Sequence, residues 1–192
     1  MNFHQYKFLI MSDLYRVTGS KKTSVLIKNI CIGGMYKYNF WMRSSLFLSQ
    51  KKVFKYTLYP FARIILNHYT YKFGIDIPYA TKIGSGFFIG HFGGITVSQF
   101  SVIGKNCNIS QTVTLGQANR GKNKGYPTLG DNVYIGPGAK IVGSVKIGNN
   151  VAIGANCVVT KDIPDNSVVV GIPGKVISND GATAYINRTD YE

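Results

Sequence analysis

The chain has 192 residues, 45% of them hydrophobic, and a formal charge of +14. Its length fits one domain with a modest extension, and its apolar share is enough to bury a core. No stretch reaches the roughly 18 uncharged apolar residues that a membrane span needs, and the three cysteines, Cys31, Cys107 and Cys157, fit neither a disulfide framework nor a zinc spacing.

The charge is uneven. Residues 1–75 hold twelve Lys and Arg and one acid, Asp13, whereas residues 76–192 hold ten basic and seven acidic side chains. The opening "MNFHQYKFLIMSDLYR" has a short apolar run with no small-residue cleavage site after it, so the expected compartment is the cytoplasm. A basic, aromatic-rich segment implies an anionic neighbour. No nucleic-acid motif accompanies it. Within it, Phe54, Leu58, Phe61, Ile65 and Tyr69 recur at helical spacing, so residues 40–72 read as helix with a break near Pro60. This basic helical segment, 1–75, is expected to cap the remainder of the chain. Its charge also fits peripheral contact with an anionic membrane, at the inner membrane face.

From residue 77 the period changes. Ile77, Ile83, Ile89 and Ile95 stand six apart; the phase slips by two and resumes at Val97, Ile103, Ile109 and Leu115. It resumes again at Leu129, Ile135, Ile141, Ile147, Ile153 and Val159, and glycine comes after many of these positions. Four residues after the aliphatic position there is often a small or branched residue, such as Val113, Val133, Ala139, Val145, Val151 or Cys157. A period of six is neither helical nor simple alternation. It is the hexapeptide repeat of a parallel β-helix, in which three repeats close one triangular coil. The fold class is therefore mainly β, with the coils over residues 76–178 and a C-terminal tail over 179–192. The glycines of "GSGFFIG" and "GPGAKIVG" fall on this register, so they are turn residues and not nucleotide loops. The insertion 117–127 interrupts the register with Gly, Asn, Lys and Arg. It reads as a loop thrown out from one corner, and long loops in tight folds often serve sites.

Residues 74–178 resemble the hexapeptide-repeat acyltransferases with a left-handed β-helix, most closely the serine acetyltransferases and their relatives in polysaccharide gene clusters. The carrying stretches are "IDIPYATKIGSGFFIGH", "ISQTVTLGQ", "LGDNVYIGPGAKIVG", "VAIGANCVVTKDIP" and "VVGIPGKVI". The resemblance implies left-handed coils, a homotrimer, and acetyl-CoA as acyl donor in the groove between neighbouring subunits, with no metal. It also implies a catalytic pair. His91 stands fifteen residues after Asp76, as the family's histidine follows the aspartate that orients it. Neutral imidazole can take the proton from an attacking hydroxyl, and a carboxylate on its other nitrogen fixes the tautomer and stabilises the imidazolium. On the donor side the resemblance points to the turns at Pro137 and Ala155 and to Lys161 and Lys175, whose charges suit the CoA phosphates.

Two departures bear on the acceptor. Where serine acetyltransferases place an aspartate just before the histidine, this chain has Gly90, and their loop Arg-His pair before a proline is replaced by Gly125 and Tyr126 before Pro127. Groups expected to grip a zwitterionic amino acid are missing, and unpaired charges are costly to desolvate. Only about 75 residues precede the coils, in place of that family's large helical domain. The expected reaction is therefore O-acetylation of a carbohydrate, with Phe92 and Tyr126 packing on a sugar ring. Serine O-acetylation and sugar N-acetylation are the alternatives. A zinc carbonic anhydrase on the same coils needs three histidines, and the coils offer only His91. A non-catalytic trimerising scaffold would keep the coils without the chemistry.

Overall fold

The computed structural model describes residues 1–192. Five helices come first: α1 (Phe3–Thr18), α2 (Thr23–Cys31), α3 (Tyr36–Ser49), α4 (Lys52–Lys55) and α5 (Leu58–Phe73). The segment expected to be helical over 40–72 thus breaks after Ser49 and again at Tyr56 and Thr57, and helix also extends far upstream of it. Pro60 lies inside the first turn of α5, where its missing N–H has no intrahelical partner to lose. α1 begins with a reciprocal capping box, the Asn2 side chain accepting from the Gln5 N–H at 2.8 Å and the Gln5 side chain from the Asn2 N–H at 2.9 Å. α5 ends at Gly74, whose left-handed backbone (φ 60°) turns the chain directly into the first strand.

The remainder is a left-handed parallel β-helix with three faces. The first face stacks Ile75–Asp76, Ile95–Val97, Thr114–Gly116, Lys140–Val142 and Val158–Val159; the second stacks Lys82–Ile83, Val102–Ile103, Thr128–Leu129 and Lys146–Ile147. The third stacks Phe88–Ile89, Asn108–Ile109, Tyr134–Ile135, Ala152–Ile153 and Val168–Val170, and ends with Lys175–Ser178 folded back antiparallel. Registers such as Thr96↔Thr114 and Lys140↔Val158 are those of regular coils. The pairing Ile75↔Ile95 absorbs the two-residue slip seen in the repeat, and Val102↔Thr128 absorbs the loop.

The repeat works as its period requires. Ile95, Ile103, Ile109, Leu115, Leu129, Ile135, Ile141, Ile147, Ile153 and Val159 all point inward and are buried, and so are Val113, Val133, Ala139, Val145, Val151 and Cys157. Each fully buried aliphatic side chain contributes on the order of 1.5–3 kcal/mol. Only Ile83, in the uppermost coil, is half-buried. At the corner between the second and third faces, Asn106, Asn132, Asn150 and Asn166 adopt left-handed backbone conformations. Asparagine tolerates this conformation better than most side chains. Their side chains bond down the stack, Asn106 Nδ2 to Asn132 Oδ1 at 3.1 Å and Asn150 Nδ2 to Asn166 Oδ1 at 2.7 Å.

A β-helix exposes polar backbone groups at its first coil, and the helices close that end. Asp13 of α1 and Arg43 of α3, both buried, form an ion pair (Nε to Oδ2, 3.0 Å). The pair reaches into the coil: the Phe87 N–H donates to Asp13 Oδ1 at 2.8 Å, and Arg43 donates to the carbonyls of Ile83 (2.7 Å) and Gly84 (2.6 Å). Around it, Asn39 donates to the Phe87 carbonyl, Ser12 accepts from the Gly86 N–H, and Tyr38 exchanges hydrogen bonds with the Ile77 backbone. Burial pushes the Asp13 carboxyl upward, opposed mainly by the Arg43 charge, and raises the Tyr38 hydroxyl to about 12.

The C-terminal residues are a strap that lies against this end. Tyr191 is buried and donates to Ser85 Oγ at 3.1 Å, Arg188 donates to the Val17 carbonyl at 2.6 Å, and Lys21 donates to the Tyr191 carbonyl at 2.7 Å.

Removing one member of a buried pair leaves an uncompensated charge, so Asp13→Ala is expected to destabilise the fold by about 3–5 kcal/mol, read by denaturant unfolding; a change within error would mean the pair does not hold the cap. Burial also pushes the Cys107 thiol up to about 12 and raises that of Cys157, while Cys31 is exposed. A thiol reagent should therefore titrate Cys31 quickly in the native protein and the other two only after unfolding.

Candidate active site

The coil corners divide the expected site residues into two groups. The edge where the third face turns into the first carries His91 and Phe92 in the top coil, Ser110–Thr112 in the next, then Gly136–Gly138 and Gly154–Asn156. Backbone bonds tie these turns into a column: Thr112 N–H to the Gly93 carbonyl at 2.7 Å, Gly138 N–H to the Gln111 carbonyl at 3.0 Å, and Asn156 N–H to the Pro137 carbonyl at 2.8 Å. His91, Phe92, Pro137 and Ala155 therefore share one edge.

His91 is exposed and comes just after the strand Phe88–Ile89. Its turn is held by Gly93, whose N–H donates to the Phe73 carbonyl at 2.8 Å, and by Gly94, with a left-handed backbone (φ 64°). Phe73 ends α5 just before Asp76, so His91 and Asp76 both stand at the head of the first face. Asp76 is exposed and pairs in register with Thr96. Within the protomer neither side chain makes a hydrogen bond, and none joins them.

Gly90 differs from its neighbours in the repeat. A Cβ at Gly84, Gly104, Gly130 or Gly148 would meet the next coil at under 3.0 Å, so those glycines are sterically required. At Gly90 the nearest atom would be Phe88 Cε1 at 3.5 Å, an ordinary contact, and its φ is not positive. The backbone would accept a side chain there, and glycine leaves the space beside His91 open.

A polar cleft of about 420 Å³ lies beside Asp76, lined also by Asn67, Thr70, Tyr71 and Thr96. Its lining contains no Lys, Arg or His. Sequence reading missed Asn67, Thr70 and Tyr71, because on α5 they look like a solvated helix face; only the turn at Gly74 brings them over the first strand.

The other edge, where the first face turns into the second, carries the loop 117–127 and Lys161. The loop is a hairpin closed by the bridge Ala118↔Gly125. It lies down along its own coils: the Ser144 N–H donates to the Asn123 carbonyl at 2.8 Å, and Asn123 Nδ2 donates to the Thr160 carbonyl at 2.7 Å. Tyr126 packs on Phe100, ring centroids 5.0 Å apart. Tyr126 and Lys161 are thus on a different edge from His91 in a single chain. Lys175 is exposed on the final antiparallel strand. No group of three His, Cys, Asp or Glu side chains converges to hold a metal.

These coils are those of a hexapeptide-repeat protein. The family described as bacterial transferase hexapeptide (six repeats) matches residues 126–161. The serine acetyltransferase of Bacillus pumilus is 43% identical over 135 residues, covering 70% of this chain and 61% of that protein. Among solved structures, the serine acetyltransferase of Neisseria gonorrhoeae aligns with a TM-score of 0.67 and 29% identity over 91% of this chain and 66% of that one. A serine acetyltransferase in complex with CoA aligns with a TM-score of 0.69 and 28% identity, over 88% of this chain and 68% of that one. The chain thus carries the hexapeptide repeat of bacterial transferases over residues 126–161 and is similar to serine acetyltransferases over about 70% of its length. It spans about three fifths of the length of the curated relatives it matches, 61% for the Bacillus pumilus protein.

If Asn123 pins the loop, Asn123→Ala should speed tryptic cleavage at Arg120, Lys122 and Lys124 several-fold while the coils stay intact. Unchanged cleavage would show that the hairpin bridge alone sets the loop's position.

Proposed function

We propose that this chain is an acetyl-CoA-dependent O-acetyltransferase in which His91 takes the proton from an acceptor hydroxyl as that oxygen attacks the thioester carbonyl. The observation that carries this reading is the column of turns that sets His91 at the head of the edge shared with Pro137 and Ala155. His91 is exposed at a glycine-rich turn, where its imidazole can reach an acceptor hydroxyl. Asp76 is its positioning residue, holding the imidazole tautomer once the side chains close together around substrate. CoA, when bound, supplies the activated acetyl group and leaves as a thiol. The turns at Pro137 and Ala155 fit its extended arm, and Lys161 and Lys175 fit its phosphates as point charges.

The two edges explain the need for a homotrimer. Lys161, Tyr126 and the loop lie on one edge and His91 on another, so a groove uses both only when the loop edge of one protomer faces the His91 edge of the next. The compartment that suits this donor is the cytoplasm.

Serine is the acceptor supported by the comparisons, since the relatives at 42–43% identity carry the name serine acetyltransferase. A neutral carbohydrate hydroxyl, as in a surface polysaccharide or its precursor, is supported by a specific observation. Gly90 leaves the place of an acidic partner beside His91 empty, and Gly125 and Tyr126 stand where a basic pair would grip an amino acid's carboxylate. An amino-sugar nitrogen is the third acceptor class.

Thiol release from acetyl-CoA across serine, neutral sugars, nucleotide sugars and amino sugars decides among them. Release with a sugar and none with serine establishes the carbohydrate reading, and release with serine alone establishes the amino-acid reading. If the carbohydrate reading holds, Gly90→Asp, which the backbone accommodates, should lower sugar turnover at least tenfold by placing a charge beside His91. No release with any acceptor would overturn the enzymatic reading.

A further inference from the structure

The helical cap carries a surface that the acetyl-transfer site does not use. From Lys52 through Leu58 every side chain is exposed. Val53 is 76% exposed, Tyr56 80%, and Phe61 and Ile64 of the following helix 68% each. Soluble chains rarely leave such large apolar side chains contiguous and bare. The patch continues inward as an apolar groove of about 380 Å³ between α1, α3 and α5, floored by Trp41 and Phe47. Cations are interleaved with it: Lys51 Nζ lies 5.6 Å from the Phe47 ring centroid and Lys55 Nζ 5.8 Å from that of Tyr56, with Lys52 between them in sequence.

We propose that this patch is a peripheral docking surface for an anionic lipid bilayer, with Val53, Phe61 and Ile64 entering the interface and Lys51, Lys52 and Lys55 facing lipid phosphates. Charge selects this occupant. The sole acid of residues 1–75 is Asp13, which is buried and paired with Arg43, so no carboxylate from the cap tempers the field at the patch. A second copy of the same patch would set these lysines against their own twins in a two-fold contact, whereas an anionic leaflet neutralises them. An exposed basic-aromatic surface with a shallow apolar face is the chemistry of interfacial binding rather than spanning, and no helix here is long and apolar enough to cross a membrane. The patch lies at the start of α5, and His91's turn is held by the end of that helix. At about 1.5 Å rise per residue the two are roughly 20 Å apart, so docking leaves the edge of the coils free.

The test is flotation of the intact protein with vesicles of equal phosphatidylglycerol and phosphatidylcholine, and of phosphatidylcholine alone, at low and high salt. The wild type should float only with the anionic vesicles and be released by salt. A Lys51→Gln/Lys52→Gln/Lys55→Gln variant should partition on the order of a hundredfold less, and Val53→Ser/Phe61→Ser should also lose binding, both with unchanged melting temperatures. Failure of the wild type to float at low salt overturns the proposal. So does flotation that neither variant weakens. Retention on heparin without flotation would make the surface a polyanion site instead. A drop in oligomeric mass for Val53→Ser/Phe61→Ser, without flotation of the wild type, would make it a contact between copies.

Discussion

The structure depends on the joint between Asp13, Arg43 and the first coil. A β-helix propagates by hydrogen-bonding each coil to the next, so its first coil has open carbonyls and N–H groups on one side. Here a carboxylate from α1 takes the Phe87 N–H, and a guanidinium from α3 takes the Ile83 and Gly84 carbonyls. The two charges then neutralise each other at 3.0 Å inside the protein. That geometry fixes where α1 and α3 sit against the coil, while α5 supplies the Gly74 turn, the Phe73 carbonyl that holds the His91 turn, and one wall of the cleft beside Asp76. The cap is thus part of the site's construction as well as a lid on the core.

The coils supply the complementary constraint. Because each face repeats the same inward stack, equivalent corners line up along the axis, and chemistry placed on one corner is inherited as a column. His91, Pro137 and Ala155 share one edge this way although 63 residues of chain, 92 to 154, run between the first and the last. The same regularity keeps the loop edge away from the His91 edge within one protomer. A site using both must be built between chains, which is why the trimer is part of the functional proposal.

Much of this was legible in the residues. A six-residue aliphatic period has one economical explanation, and the inward burial of the stack from Ile95 to Val159 is its direct result. Left-handed turns fall mostly on asparagine at fixed places in the repeat, a signal the sequence reading did not use. The cap was legible only in outline: helices were expected over 40–72, while α1, as amphipathic as α5, was not read as one, and the Asp13–Arg43 pair joins residues thirty positions apart with no local signal. Nor did the C-terminal residues look like a strap, because Tyr191 and Arg188 find their partners near the opposite terminus and the first coils. The role of Gly90 emerges only in the fold. In sequence it is one more repeat glycine; the free space around it separates it from Gly84 and Gly104.

The most direct test of the account is thiol release from acetyl-CoA by His91→Ala and His91→Asn beside the wild type, with whichever acceptor the wild type turns over. Loss of a general base should lower turnover by about a hundred- to ten-thousandfold while both variants keep the wild-type melting temperature and CoA affinity. Turnover within a fewfold of the wild type would contradict the account, because the edge that holds Pro137 and Ala155 would then have no base at its head.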